Sequence, residues 1–255
     1  MSVRWSERSR QFRADGFVVL ERIIEERDLA MLRAECQQFI DQKDREMDAA
    51  GSDVLDLDQR GKRYFVNDCS TRSAALRQFV LGDLMADIVG ALLGDDAYLF
   101  NDQYVVKGAE VGTRFAWHQD SGYVGYPHPP YLTCWCALDD MSEANGTVYL
   151  LPYDRAGTRE VVPHQRDDGT NDLIGYRGPD PGIAVEVPAG SIACFSSTVF
   201  HRSGANCTPA LRRAYIVQYS PEPILLADRS RVRHQAVPFL RAGARAAGQR
   251  SECNR

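Results

Sequence analysis

From residue 98 onward the chain is a succession of short candidate strands, and this pattern constrains the fold more than any other feature. Tyr98–Val106, Phe115–Gln119, Tyr131–Leu138, Thr147–Leu151, Ile183–Val187, Ile192–Phe195 and Ala214–Tyr219 are rich in aromatic and β-branched residues, which suit a pleated, half-buried surface. Turn clusters separate them at Lys107-Gly108, Glu143-Ala144-Asn145-Gly146 and Pro188-Ala189-Gly190. Strands this short and this numerous predict a sandwich or a barrel.

The first 95 residues follow another rule. Phe12–Ile24 predicts a short helix, a turn at Asp15-Gly16 and a strand over Phe17–Leu20. Between Arg27 and Asp41, Leu29, Leu32, Cys36, Phe39 and Ile40 fall on one helical face. A second amphipathic helix is predicted over Ala75–Leu93, burying Leu76, Phe79, Val80, Leu84, Ile88 and Leu92, with Gly94 closing it. Residues 42–63 are polar and read as a mobile loop. Helices first and strands afterwards predict helices packed on one face of a β-core. The fold class is therefore mainly β with flanking α-helices, and a double-sheet jelly roll is the natural candidate. A chain of 255 residues fits a single domain. That domain is placed at 1–240, with a helical part over about 1–95 and a jelly-roll core over about 96–222. Residues 241–255 read as a flexible tail on composition.

Charge and composition exclude several classes. A net charge of −5 without a clustered basic face argues against nucleic-acid binding. The most apolar runs, Ile88–Leu93 and Val148–Leu151, are too short to span a bilayer. The N-terminus lacks the apolar segment of a secretory signal, so a cytoplasmic location is expected. The seven cysteines include no C-x-x-C pair, so a zinc ribbon is not expected. They read as small buried hydrophobes, with Cys134 and Cys136 on one strand face.

Chemistry concentrates in RFAWHQDSGY, which holds His118 and Asp120 two residues apart. On a strand, i and i+2 share a face. An imidazole and a carboxylate so placed can fill two neighbouring positions around a metal. A facial triad of two histidines and one carboxylate is the mark of non-haem Fe(II) oxygenases. A candidate third ligand, His201, lies in PAGSIACFSSTVFHRSGAN. Arg212-Arg213 heads the following strand, and a guanidinium fork suits a carboxylate ligand. Alternation puts Ala214 and Ile216 with Arg212, and Tyr215 and Val217 with Arg213. Periodicity alone leaves open which arginine faces inward. His128 reads as a loop or substrate-side residue, since the triad is complete without it. His164, His234 and Lys107 read as solvated.

These segments resemble the phytanoyl-CoA dioxygenase family of Fe(II)/2-oxoglutarate-dependent oxygenases, whose fold is the double-stranded β-helix (cupin-like jelly roll). The resemblance runs from about Phe12 to about Ser220. It is carried by FRADGFVVLERII, by RFAWHQDSGY, by CWCALDDMSEANGTVYLLP and by PAGSIACFSSTVFHRSGAN. It implies His118, Asp120 and His201 as iron ligands, with Fe(II), 2-oxoglutarate and O2 as cofactor and cosubstrates. The family's 2-oxoglutarate arginine lies eleven residues after its distal histidine, which selects Arg212. Ser203, Trp135 and Gln103 match further cosubstrate-side positions. Where the family often has Pro-Gly-Ser-His after its Asn-Gly hairpin, this chain has Pro152-Tyr153-Asp154-Arg155, on the substrate side.

The implied reaction is hydroxylation of a C–H bond in a small organic molecule, with 2-oxoglutarate decarboxylated to succinate and CO2. A carboxylate at Asp120 fills the place where related halogenases leave room for chloride. Desaturation, epoxidation, ring formation and epimerisation are alternative outcomes at the same centre, and a non-catalytic jelly-roll binding protein is the remote one. Candidate substrate contacts are Tyr123, Tyr126, His128 and Tyr131. The 42–63 loop, Ser121–Tyr131 and the Gly157–Pro181 insertion are the variable walls. A CoA thioester is not implied, since no basic patch awaiting its phosphates is visible in the sequence. A secondary-metabolite or other small-molecule intermediate is expected.

Overall fold

The computed structural model describes residues 5–109, 114–167 and 172–246. Among them, ten strands form one antiparallel sheet and four form a second. Along its main path the large sheet runs Phe17–Leu20, Ile192–Ser196, Leu132–Ala137, Arg212–Ser220, Ala97–Lys107, Arg63–Asn67, Asp58–Gln59 and Val54–Leu55. The small sheet runs Ile183–Ala184, Val148–Leu151, Phe200–Ser203 and Phe115–His118. Mostly antiparallel sheets with helices on one side are the predicted class, and the two sheets make a jelly roll.

Period-two alternation sorts the side chains of the large sheet. Ala137, Ala193, Phe195, Trp135 and Ala214 pack toward Val148 and Leu150 of the small sheet. On the opposite face Tyr104, Tyr215, Val217, Tyr219, Cys134 and Cys136 lie under the helices with Leu32, Cys36, Leu76 and Met85. The residues alternating with Arg212 are thus buried too, beneath a helical layer.

Three predicted segments differ from what forms. The first helix of the core runs Glu26–Ala50 and takes in the first nine residues assigned to a loop. Polar composition hid it, because Met47 alone anchors that stretch in the core. Gln37 and Gln42 donate to Asp41 and Glu46 one turn on, as i,i+4 pairs do. Gly51, at φ 61°, caps the helix. The rest of the supposed loop adds strands to the large sheet, and Arg60 ties it to Asp44, Asp48 and Asp53. The Ala75–Leu93 helix is two helices, Ala74–Val80 and Asp83–Leu92, because Gly82 starts a new one. Finally, Val237–Arg241 and Ala244–Arg245 pair at the sheet edge and bury Phe239 and Leu240. The folded part therefore passes residue 241, and the remainder of the predicted tail, 247–255, lies outside the described residues. Among the described residues no helix is long and apolar enough to cross a membrane, and six cysteines are free thiols, five of them buried.

Candidate metal centre and cosubstrate pocket

His118 ends the Phe115–His118 strand and lies directly across from His201 on Phe200–Ser203. Asp120 opens the short turn that follows. Between them, Gln119 is fully buried with its side chain turned the other way. Its amide donates to Glu160 O and Thr198 O and accepts from Val162 N. His164, expected to be solvated, instead accepts the Gln119 backbone N–H at 3.0 Å. Both contacts brace the strand that carries the ligands.

The ligand atoms of His118, Asp120 and His201 lie within 4.8 Å of one another, with Asp120 Oδ1 3.4 Å from His201 Nε2. The opposite atom of each side chain is already engaged. His118 Nδ1 is 2.8 Å from Ala116 O and His201 Nδ1 is 3.1 Å from Val199 O. An N–H on each Nδ1 donates to that carbonyl and leaves Nε2 as a lone pair, the arrangement that orients metal-binding imidazoles. Asp120 Oδ2 accepts from Thr133 Oγ1 at 2.6 Å and from Gln218 Nε2 at 3.1 Å. That leaves Oδ1 for the centre. Burial, reinforced by His201, lowers the His118 pKa and keeps the ring neutral. Burial alone would raise Asp120, but His201, His118 and the Thr133 hydrogen bond together hold the carboxyl below its ordinary range. Two imidazoles with Nδ1 engaged and a carboxylate with Oδ2 engaged fit Fe(II) by donor type and by the outer contacts that fix them.

The centre opens on a cavity of about 430 Å3. Arg212, Trp135, Gln103 and Ser203 all line it. Arg212 is 2% exposed, donates to Gly146 O at 3.1 Å, makes a long 3.5 Å contact to Val105 O, and leaves Nε without a partner. Its guanidinium lies 5.8 Å from the Trp135 ring. Arg213, one residue on, points outward into a two-pronged pair with Asp139 at 2.6 and 3.1 Å. The choice left open by periodicity is thereby made: Arg213 is neutralised by Asp139, while Arg212 faces the cavity with no carboxylate paired to it among the described residues.

Tyr123 and Tyr131 line the same cavity, and Tyr123 stands edge-on to His118. Tyr126 and His128 are not among its lining residues. His128 is held from both ring nitrogens, by Tyr126 O and Ser121 Oγ, and Tyr126 packs behind the wall against Phe100, Val124, Tyr131 and Ile224. His234, read as solvated, stands at the rim with its ring against Phe100. The alternation of the strands contained two residues that went unassigned: Thr133, two before Trp135, and Gln218, on the face of Arg212. Arg63, Arg202 and Arg233 also reach the cavity, far apart in sequence and together only in the fold. A basic set the sequence did not reveal therefore borders the site.

Fold and ligand set together define a jelly-roll, non-haem metal oxygenase. Residues 12–214 match the phytanoyl-CoA dioxygenase (PhyH) family, and the chain belongs to it. It is 23% identical over 236 residues to an ectoine dioxygenase of Stutzerimonas stutzeri, covering 82% of this chain and 74% of that one. An ectoine dioxygenase of Nocardia farcinica is 27% identical over 232 residues, at 80% and 74% coverage. In fold the chain resembles EctD from S. alaskensis with 2-oxoglutarate and 5-hydroxyectoine (TM-score 0.68, 20% identity, 95% and 87% coverage). It also resembles the 2-oxoglutarate-dependent epimerase SnoN from nogalamycin biosynthesis (TM-score 0.67, 20% identity, 96% and 95% coverage).

Proposed function

We propose that the protein is an Fe(II)- and 2-oxoglutarate-dependent dioxygenase that hydroxylates a C–H bond of a small organic molecule. The observation that carries this is one cavity with two ends. One holds three converging ligand atoms, and the other a buried guanidinium with no counter-ion among the described residues. An unpaired buried charge is costly, and a dicarboxylate reaching from the metal to Arg212 removes that cost.

His118, Asp120 and His201 hold the iron. When bound, the metal with O2 supplies the oxidation, in which 2-oxoglutarate becomes succinate and CO2 and the substrate gains oxygen. The protein's part is position and exclusion. Arg212 fixes the far carboxylate, Trp135 and Gln103 wall the cosubstrate, and Thr133 with Gln218 keeps Asp120 turned inward. Phe65, Phe100, Phe115 and Phe195 line the cavity and limit water. Arg63, Arg202 and Arg233 have no carboxylate partner among the described residues, and favour a substrate bearing a negative group.

The test is succinate formation from 2-oxoglutarate by the Fe(II)-loaded protein, with a panel of small organic acids as substrates. His118→Ala and Asp120→Ala should each lower it by more than about a hundredfold, a loss larger than that from removing an orienting partner. Full turnover in both variants rejects the assignment. SnoN, which shares the fold, is an epimerase, so product mass is the second measurement. One added oxygen supports hydroxylation, loss of two hydrogens indicates desaturation, and an unchanged mass indicates epimerisation.

A further inference from the structure

The Ala97–Lys107 strand runs along the cavity, which its Phe100, Asn101, Gln103 and Val105 line. At the closed end Lys107, expected to be solvated, is 1% exposed and donates to Ser203 Oγ at 2.8 Å. Toward the mouth one edge of this strand is broken. Arg63–Asn67 pairs with it over residues 103–107 and Val237–Arg241 over residues 97–99. Residues 100–102, between them, have no partner strand on that side among the described residues. Gln235 fills the break. Its backbone N–H donates to Phe100 O at 2.8 Å, and its Nε2 donates to Asp102 Oδ1 at 2.9 Å and to Asp68 Oδ1 at 3.0 Å. Both side-chain acceptors are carboxylates, which offer no hydrogen when ionised, so the amide turns its NH2 to them. Asp102 is fully buried, and its other donors, Ser70 and Tyr215, come from the core.

The segment that delivers Gln235, residues 221–236, leaves Arg212–Ser220 on one edge of the strand and enters Val237–Arg241 on the other. It therefore crosses the strand, and it does so at the mouth, where its Arg233 and His234 line the cavity. Phe100 is the bulged residue beneath the crossing, since the register steps from Gln218↔Asn101 to Tyr219↔Leu99. The His234 ring lies 5.2 Å from the Phe100 ring. Apart from Gln235 the crossing is lightly held. Ile224 is its one buried side chain, and Arg233 donates to Tyr123 O at 2.6 Å. A segment with so little buried apolar surface opens locally before the fold does. The three bonds of Gln235 oppose that opening. Through Asp68 they also join the crossing to the end of the strand that bears Arg63.

We infer that Gln235 is a positioning residue for the substrate side of the cavity. It seats the 221–236 crossing, and with it Arg233 and His234, over the mouth and sets their spacing from Arg63. The crossing follows residues 12–214, where the family match lies, so this wall stands outside the segments that carry the shared chemistry. Calling it the substrate side rests on the function proposed above.

The experiment reads hydrogen exchange and arginine modification by phenylglyoxal, both by mass spectrometry on the full chain. Gln235→Met keeps the length and removes the donors. Gln235→Glu keeps the shape and sets a third carboxylate against two. Gln235→Lys restores a donor. Peptides from 221–236 should exchange about tenfold faster in Gln235→Met, the size of one hydrogen bond to a charged group, and faster still in Gln235→Glu. Gln235→Lys should return them to within about threefold of the unmodified protein. Arg233 should be modified about tenfold faster in the two loss variants, with exposed Arg231 unchanged and buried Arg212 still protected. Unchanged exchange over 221–236 in both loss variants overturns the inference. So does opening of the Leu132–Ala137 strand in step with the crossing, which would make Gln235 a support of the whole fold. Neither readout uses turnover, whereas succinate formation tests the oxygenase reading, so the two fail separately.

Discussion

The closed interior of the cavity and its mouth are built differently. At the closed end, side chains come from paired strands and nearly every polar atom is assigned before a ligand arrives: Nδ1 of both histidines, Oδ2 of Asp120, and the Ser203 oxygen. At the mouth, Arg63, Arg233 and Arg202 spend one donor each on the carbonyls of Leu57, Tyr123 and Pro181, and Arg202 stacks on Tyr149. Strands pre-set the geometry that chemistry needs, while strand ends and connections leave the freedom that recognition uses.

The contrast is most exposed to failure at the adjacent arginines. Arg212→Ala should raise the KM for 2-oxoglutarate roughly a hundredfold, as loss of a hydrogen-bonded, desolvated charge does. Arg213→Ala should change that KM less than about threefold and instead cost about 1 kcal/mol of stability through Asp139. Steady-state kinetics and urea unfolding on the pair decide it; equal KM effects would remove the distinction between inner and outer faces. Next in size, Gln218→Ala should weaken metal binding about tenfold by freeing Asp120 to rotate, measured by metal titration.

A pH experiment addresses the closed end alone. The folded-state pKa of Lys107 lies at about 5, below the 10.5 of an exposed lysine, so between these values the unfolded chain binds the extra proton. Stability of the ligand-free protein should therefore rise with pH from 7 to 9, by up to about 1.4 kcal/mol per unit from this group. Lys107→Met should flatten that slope; an unchanged slope would show that the amine is charged in the fold. The smallest effect belongs to the mouth. Arg233→Gln should raise the KM of an anionic substrate found by panel assay about fivefold, with 2-oxoglutarate affinity within twofold, since a half-exposed charge contributes little.

Much of the closed end was legible because strand alternation is a strict rule. It put His118 with Asp120, separated Arg212 from Arg213, and would have yielded Thr133 and Gln218 had it been carried two residues further. Lys107 escaped because a lysine before a glycine reads as a turn, and nothing local tells that Phe115 and Ser203 close over it. The helix through Gln42–Ala50 escaped because one buried methionine makes no period. The mouth was the least legible part, since Arg63, Arg202 and Arg233 share no segment and no spacing.

The free thiols have a consequence for durability. Burial pushes Cys36 and Cys69 up to about 12 and raises Cys134 and Cys136 well above the ordinary thiol range, so at neutral pH none of these four presents the thiolate that peroxide attacks. Cys207 is the exposed cysteine among the described residues. A catalyst that handles dioxygen releases stray oxidants when it fires without its target. This one keeps its sulfur chemistry shielded behind the sheet, and its wear should begin at the surface.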